Sequence, residues 1–486
     1  MIHPARDWLL GALPFPTKLS LGRDETVLSN GLISRSWKSQ SGACFSFLEL
    51  SNQAEFLRTV SPEASITVGG KRYAIGGLEP FPDHAYVDQK FLATAKPLEH
   101  SFRLKSVLAA PYVPLLAHPK NVNGKGVVFE YSNPELPGIS VTVHYQVPDS
   151  LPVVSKWISV TNNTDKAVTL EKFENEILAA VEGESAVDES PEWRKPNMFV
   201  TSDYTFGGMS PNAHAKGVHW QTDPTYTTQV SYDLKTPCLL VGEPQIGPNI
   251  EIPNGTTFTT YRVHELLYDS FDRERNGLAV RKMYRSLAPW SQDSPLMLHL
   301  TSTETKTVHT AIDQAAECGF EIIILSFGSG VNMESTDPAQ TQKFKEFREY
   351  ANSKGLRLGG YSLLASRRID DANDVINPKT GKTGGAIFGD SPCLESKWGQ
   401  EYFANIQNFI EKTGFDLLEH DGNYPGDMCA STVHPGHKGL EDSQYKQWLR
   451  ITKFYKWCRS KNVFLNVPDN YFMSGSNKTE IGRAHV

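Results

Sequence analysis

The spacing of hydrophobic and polar positions changes part-way along this chain. Up to about residue 270, apolar and β-branched residues alternate with polar ones between clusters rich in Asn, Pro and Gly. The alternation is clearest over 27–37, 139–147, 153–161 and 257–263. A period of two residues between turn-forming clusters is typical of β-strands. We therefore predict that this part of the chain forms a large antiparallel β-supersandwich.

After residue 295 the apolar positions take up helical spacing in four segments. Each segment ends at a glycine or asparagine that suits a left-handed helix cap. Short apolar runs lie between the helices, and the predicted strands are 296–300, 320–325, 356–364, 415–421 and 463–467. Unbroken alternation of strand and helix predicts a parallel sheet with right-handed crossovers. Five such strands fit both a doubly wound sheet and an incomplete (β/α)8 TIM barrel.

Length and pattern together predict two domains, since 486 residues exceed what one core usually supports. We predict a β-supersandwich domain over 1–288, with a linker helix near 272–287. A partial catalytic barrel with strands 1–5 follows over 289–479. The end, 480–486, has no periodicity and resembles translated adapter sequence, so we leave it out of the fold. On this interpretation the sequence is a C-terminally truncated fragment and is inactive, because five strands cannot close a barrel.

Composition narrows the class of partner. The net charge of −7 argues against nucleic acid, and no apolar run is long enough to cross a membrane. Residues 1–10 do not show the pattern of a signal peptide. The sequence does not decide the compartment, which would be periplasmic or extracellular if an N-terminal signal is missing and cytoplasmic otherwise. It also leaves open whether the chain forms a homo-oligomer. Six cysteines without CxxC spacing predict neither a disulfide framework nor a structural zinc site.

The predicted strand 415–421 ends on a carboxylate, Asp421, directly before Gly422. The carboxyl ends of parallel strands carry the chemistry of such folds, and a carboxylate is costly to bury without a partner or a role. Asp421 is therefore the first candidate for a catalytic residue, although an aspartate before glycine also suits a turn or a helix cap. Strand alternation puts Glu419 on the same side as Asp421 and His420 on the other.

Two carboxylates on one side of a strand repel each other unless a cation intervenes. Arg367 or Arg368, which follow the third predicted strand, could supply that cation. Alternatively, Glu419 pairs with a lysine and has only a structural role. The sequence leaves these two interpretations open.

Three segments, 354–361, 414–422 and 287–290, resemble glycoside hydrolase clan D, the α-galactosidases and α-N-acetylgalactosaminidases of families 27 and 36. The first is similar to the clan's third barrel strand, the second to its fourth, and the last to the junction between sandwich and barrel. The resemblance implies a retaining, exo-acting α-glycosidase that needs no cofactor, with a carbohydrate substrate and Asp421 as nucleophile. It places the acid after a sixth strand, beyond this chain. It also implies a disulfide between Cys393 and Cys429.

Two departures from the clan concern the sugar. The clan usually has a lysine two residues before the nucleophile, where this chain has Glu419, and paired aspartates after the second strand, where it has 325–328. Both changes remove groups that bind galactose in the clan. This favours a divergent branch of the clan that acts on another α-linked sugar. Asp469, after the fifth strand, is a second candidate for the acid, although sugar binding or turn formation suits it better.

Further polar residues near the predicted strand ends are candidates for substrate binding. With Glu419 included, they are Ser326, Tyr361, Arg367, Asn423, Tyr424, Asp427, His434, His437 and Asn466. Asp427, Cys429 and the two histidines could also be metal ligands. Pro and Gly separate the histidines and no companion pair is evident, so we predict sugar contacts and no metal. Two other functions stay open: a non-catalytic carbohydrate-binding protein and a transglycosylase on the same scaffold.

Overall fold

A computed structural model describes residues 7–11, 14–183, 194–205, 216–385, 389–422, 427–467 and 471–477. The chain divides into two units at Leu287 and Ala288, except that Leu115–His118 and Thr205 group with the second unit. The first unit also contains the helices α1, Gln89–Thr94, and α2, Arg273–Leu287. Within the described ranges, none of the helices has the length and apolar character needed to cross a membrane.

The first unit is built from antiparallel sheets, as the alternating pattern predicts. The five-stranded sheet contains β1 (Lys18–Leu21), β2 (Glu25–Ser29), β3 (Ile33–Lys38), β4 (Cys44–Glu49) and β5 (Ala54–Glu55). The seven-stranded sheet contains β8 (Arg103–Pro111), β9 (Gly124–Ser132), β10 (Ile139–Pro148), β11 (Val153–Asn162), β15 (Met198–Ser202), β19 (Thr256–Thr259) and β20 (Val263–Leu267).

Smaller antiparallel sheets complete the described part of this unit. One contains β6 (Ala64–Val68), β7 (Lys71–Ile75) and β13 (Lys172–Glu174). A second pairs β12 (Val168–Leu170) with β18 (Ile250–Ile252). A third contains β14 (Glu176–Ala179), β16 (His219–Gln221) and β17 (Leu239–Gly242).

The predicted segment 27–37 is a hairpin of two strands, β2 and β3. The turn between them is built around Asn30, whose Oδ1 accepts hydrogen bonds from the backbone N–H groups of Leu32 and Ile33 at 3.1 and 3.2 Å. Gly31 takes a positive φ of 80° there, a conformation that favours glycine. Further along β3, the ring centroid of Trp37 lies 5.2 Å from that of Phe129 and 4.7 Å from that of Tyr145. These ring contacts join the five-stranded sheet to the seven-stranded one.

A buried ionic network lies between these sheets, and the sequence did not predict it. Arg35 donates through Nη1 to Glu265 Oε2 at 2.7 Å, and its Nη2 lies 3.7 Å from Glu176 Oε1. Lys156 donates to the same Glu176 oxygen at 2.8 Å. Burial, reinforced by the charge of Glu176, raises the pKa of Glu265 well above its usual range. Two cations and two carboxyl groups therefore share one buried network, in which Arg35 contacts both carboxyl groups.

We expect Arg35→Met to destabilise the protein by about 3–5 kcal/mol, because it leaves buried carboxyl groups without their cation. Arg72→Met is the matched control: Arg72 pairs with Glu174 at the surface, where an ion pair contributes about 0–1 kcal/mol. Denaturant titrations of both variants give the two free energies of unfolding. Equal small losses would show that the buried network does not stabilise the fold.

The second unit contains a parallel sheet of five strands in chain order. The strands are β21 (Met297–Leu300), β22 (Ile322–Leu325), β23 (Arg357–Leu363), β24 (Leu417–Asp421) and β25 (Phe464–Asn466). The helices between them are α3 (Thr305–Cys318), α4 (Pro338–Ser353), α5 (Lys397–Thr413) and α6 (Leu440–Ser460). Gly319 and Gly414 cap α3 and α5 with φ of 78° and 72°, as the sequence predicts.

All four helices pack on one face of this sheet. Their apolar residues form one cluster with Ile323, Leu325, Leu358, Leu418 and Leu465. A separate cluster on the other face contains Ile322, Ile324, Leu417 and Phe464. We call these the helix face and the inner face. A doubly wound sheet carries helices on both faces, so the order of strands and the one-sided helices contradict that alternative.

Candidate active site

The end of β24 presents three titratable residues in succession, Glu419, His420 and Asp421. Side chains alternate along a strand, and Leu417 lies in the inner cluster while Leu418 lies in the helix-face cluster. Glu419 and Asp421 therefore belong to the inner face and His420 to the helix face, as the sequence predicts. The hydrogen bonds of each residue agree with this assignment.

Asp421 is half-buried, and hydrogen bonds hold both of its carboxylate oxygens. Tyr361 on the neighbouring β23 donates its hydroxyl to Oδ2 at 2.9 Å, and the backbone N–H of Gly422 donates to Oδ1 at 2.8 Å. Gly422 has a φ of 70°, and a Cβ there would lie 2.6 Å from the backbone nitrogen of Ala365. Only glycine fits this turn, which fixes the carboxylate at the sheet edge with its orientation set.

Glu419 lies two residues deeper on the same face and is 8% exposed. Ser326, after β22, donates to its Oε2 at 2.8 Å, and Asn466 of β25 donates to its Oε1 at 3.1 Å. His299 of β21 places Nδ1 3.0 Å from the Ser326 oxygen and 3.7 Å from Glu419 Oε1. The inner face thus joins four strands through one polar cluster.

His299 is a member of this cluster that the sequence interpretation missed. It stands two residues after Met297, which packs on the inner face, in a short predicted strand that is otherwise apolar. A polar residue at an inward position near the carboxyl end of a parallel strand was the available signal.

Arg367 and Arg368 do not neutralise Glu419, so that prediction was wrong. Arg367 donates to Glu334 at 2.9 Å and lies over the Trp398 ring, 4.8 Å from its centroid. Arg368 pairs with Asp371. The chain turns after β23 through Ser366, whose φ is 59°, and Arg367 then packs over rings of α5, Trp398 and Tyr402, on the helix side. Arg367 is therefore also misplaced as a substrate-binding residue.

His420 is fully buried between two tyrosines of the helix face. The Tyr402 hydroxyl lies 2.9 Å from its Nε2 and the Tyr455 hydroxyl 2.7 Å from its Nδ1. Burial lowers the pKa of His420 to about 3. The imidazole is therefore neutral at neutral pH and has a positioning role, since it anchors the strand that carries Asp421 to α5 and α6.

Several residues after β24 that were predicted to contact sugar are buried and do not form an exposed rim. His434 and His437 are buried beside Cys429, and Asp427 is buried with its carbonyl accepting from Gln447 at 2.9 Å. The prediction of sugar contacts rested on the polar and aromatic composition of this loop, and composition does not show that these side chains fold inward. Asn423, Tyr424 and Asp469 lie outside the described residues.

The disulfide between Cys393 and Cys429 is not formed, and both residues are free cysteines. Each sulfur instead faces a histidine: Cys393 Sγ lies 3.4 Å from His437 Nε2, and Cys429 Sγ lies 3.5 Å from His434 Nδ1. The resemblance implied a covalent link because the two cysteines are correctly placed in the chain. The structure does bring the two cysteines together, and the imidazoles of His434 and His437 lie beside them.

No protein-family model matches the sequence, and no curated protein matches it either. Solved structures do match. The α-galactosidase from Lactobacillus brevis superposes with a TM-score of 0.58 at 10% identity, over 95% of this chain and 73% of that one. The family 36 α-galactosidase AgaB from Geobacillus stearothermophilus gives 0.58 at 9% identity, over 92% and 72%. The galactosidase domain of the α-galactosidase–sucrose kinase AgaSK gives 0.55 at 10% identity, over 95% and 75%.

This chain has the fold of family 36 α-galactosidases. At about a tenth identity the likeness concerns the fold alone, and it supports the clan resemblance at that level.

The buried state of His420 predicts a pH dependence of stability. Its pKa is lower in the folded chain, about 3, than in the unfolded chain, about 6.5. The unfolded chain therefore binds more protons between these values, and stability falls as pH drops below about 6.5, by at most about 1.4 kcal/mol per pH unit from this residue. His420→Gln should flatten that dependence between pH 7 and pH 5.

The control for this experiment is Tyr402→Phe, which removes one hydrogen bond but leaves the histidine buried. It should lower the free energy of unfolding by about 1 kcal/mol while keeping the wild-type pH slope. Denaturant titrations at pH 5, 6 and 7 measure all three proteins. A His420→Gln slope as steep as that of the wild type would mean that His420 binds protons equally in the folded and unfolded chains, which would contradict its lowered pKa.

Proposed function

We propose that the protein is a retaining, exo-acting α-glycosidase with Asp421 as its nucleophile. The observation that carries this proposal is the position of Asp421, at the carboxyl end of the fourth parallel strand on the inner face. Tyr361 and Gly422 hold its two oxygens, and the side chain is half-buried rather than sealed. A nucleophile must be oriented and still reachable, and Asp421 meets both needs.

The reaction would proceed in two displacements. The Asp421 carboxylate attacks the anomeric carbon while the bond to the leaving oxygen breaks, and a carboxylic acid about 5 Å away gives that oxygen its proton. Water then attacks the same carbon from the opposite side. The group that gave its proton takes one from this water, Asp421 is released, and the product keeps the α configuration.

The acid is the part of this mechanism that the described residues do not supply. Glu419 shares the inner face, but both of its oxygens accept hydrogen bonds, from Ser326 and Asn466, and it lies deeper than Asp421. We assign it to sugar recognition and positioning. The clan resemblance places the acid after a sixth strand, and Asp469 is the second candidate.

The five strands are proposed to be part of a (β/α)8 barrel, with residues 289–479 as its first five strand units. Support comes from the chain order of the strands and from helices that all lie on one face. The inner face would then line the barrel interior. Its carboxyl end carries Ser326, Tyr361, Glu419 and Asp421, a polar surface able to bind hydroxyl groups of a sugar.

We propose that the sugar is α-linked and related to galactose. The groups that bind it would differ from those expected in an α-galactosidase. Glu419 occupies the position where the clan resemblance expects a lysine, and a carboxylate accepts hydrogen bonds from hydroxyls rather than donating them. Ser326 and Asn466 already orient this carboxylate. Glu419 thus replaces a hydrogen-bond donor with an acceptor. We therefore expect the protein to prefer other α-glycosides than α-galactosidases do.

Asp421→Asn tests the nucleophile. Because fluoride leaves without a proton, α-glycosyl fluorides remove the need for the acid, and azide can serve as the acceptor in the second step. In contrast to the sequence-based expectation that this chain is inactive, we expect it to release fluoride from one member of a panel of α-galactosyl, α-glucosyl and α-N-acetylgalactosaminyl fluorides, giving the α-azide, because these reagents need neither the acid nor the strand that would carry it. Asp421→Asn should lower this rate by about three orders of magnitude or more.

The matched control is Asp371→Asn, an exposed carboxylate on the loop after β23, which should keep the wild-type rate. Sugar binding by both variants, measured by calorimetry, separates the alternatives. If the wild type and Asp421→Asn bind a sugar equally and neither releases fluoride, the protein is a carbohydrate-binding module. Transfer products with added acceptor sugar would instead identify a transglycosylase.

A further inference from the structure

Four buried side chains meet from the two segments that follow β23 and β24. Cys393 comes from the segment between β23 and α5, and Cys429, His434 and His437 come from the segment between β24 and α6. One ligand atom from each lies within 4.8 Å of the other three. Both sulfurs are fully buried, and the histidines are 5% and 3% exposed.

Three distances within this Cys₂His₂ cluster match the edges of a tetrahedron around a metal ion. Zinc bonds of about 2.0 Å to nitrogen and about 2.3 Å to sulfur give a nitrogen–nitrogen edge of about 3.3 Å and nitrogen–sulfur edges of about 3.5 Å. His434 Nδ1 and His437 Nε2 are 3.3 Å apart. Two of the nitrogen–sulfur distances, from His437 Nε2 to Cys393 Sγ and from His434 Nδ1 to Cys429 Sγ, are 3.4 and 3.5 Å.

The surroundings fix the ligand atoms toward the centre. His437 donates from Nδ1 to the Gly439 carbonyl at 3.0 Å, which leaves a lone pair on the Nε2 that faces Cys393. A second hydrogen bond of this kind is typical of metal-bound histidines. The backbone N–H of Ile376 donates to Cys429 Sγ at 3.4 Å, and Val375 packs against both cysteines.

We propose that Cys393, Cys429, His434 and His437 bind a structural zinc ion. Four protein ligands of this type complete a tetrahedral zinc site and leave no position for substrate, so the ion has a structural and not a catalytic role. It would join the loops that follow β23 and β24, the two strands that carry Tyr361 and Asp421. The zinc ion would then cross-link these two loops in place of the expected disulfide.

This site was hidden in the sequence by the spacing of its ligands. Cys429, His434 and His437 lie close together, but the fourth ligand, Cys393, lies 44 residues before His437. The proposal does not rest on the enzymatic one, since metal content is measured without a substrate.

Elemental analysis tests the proposal directly. The 486-residue chain, purified without a metal-affinity step and dialysed in metal-free buffer, should contain about one zinc per chain. Cys393→Ser and His437→Gln should contain less than about a tenth of that. Cys458→Ser, a change of another buried free cysteine in α6, should retain the full content.

Cobalt keeps the proposal testable if the ligand variants fail to fold. Wild-type chain stripped of metal and given Co²⁺ alone should show the visible bands of tetrahedral cobalt and a near-ultraviolet thiolate-to-cobalt band, both lost on adding excess Zn²⁺. Folded wild-type protein that stays metal-free in excess Zn²⁺ would overturn the proposal. So would a Cys393–Cys429 disulfide in non-reducing peptide maps, or a cobalt spectrum without the thiolate band.

Discussion

The second unit depends on one constraint: a buried strand of a parallel sheet carries three titratable side chains in a row. Each of them loses water on folding, so each face of the sheet must return hydrogen bonds. On the inner face Ser326 and Asn466 hold Glu419, and Tyr361 holds Asp421. On the helix face Tyr402 and Tyr455 hold His420. β24 is thereby tied to its neighbouring strands and to two helices.

That arrangement explains why the candidate nucleophile is fixed in place without being sealed. Asn466, Tyr402 and Tyr455, which hold Glu419 and His420, are buried, while Asp421, at the sheet edge, keeps part of its surface open. Anchoring the strand one and two residues before the reacting group leaves that group oriented by its own backbone. Preorganised groups of this kind cost no rearrangement when the reaction occurs.

Features set by local pattern could be predicted from the sequence. The alternating strands and helices after residue 295, the glycine caps at Gly319 and Gly414, and the opposite directions of His420 and Asp421 all follow from spacing alone. The choice between a doubly wound and a one-sided sheet did not, because the count of elements is the same. It is decided by which apolar residues meet, and that becomes visible only in the folded chain.

Features that join distant parts of the chain escaped prediction. Arg35 and Glu265 are 230 residues apart, and nothing near either one in the sequence indicates a partner. Arg367 looked available to Glu419 because it follows a neighbouring strand, but a single left-handed residue, Ser366, precedes it and its side chain packs over rings of α5. Cys393 reaches the two histidines through the same kind of long-range contact.

The central claim, that Asp421 becomes covalently bound to the sugar, is tested most directly by trapping that intermediate. A ring-fluorinated α-glycosyl fluoride supplies its own leaving group and slows the second displacement, so the ester accumulates on the nucleophile. Intact-mass and peptide mass spectrometry of the treated chain should show one added glycosyl group, carried by Asp421. A label on another carboxylate, or no label on a chain that binds the sugar, would contradict the assignment.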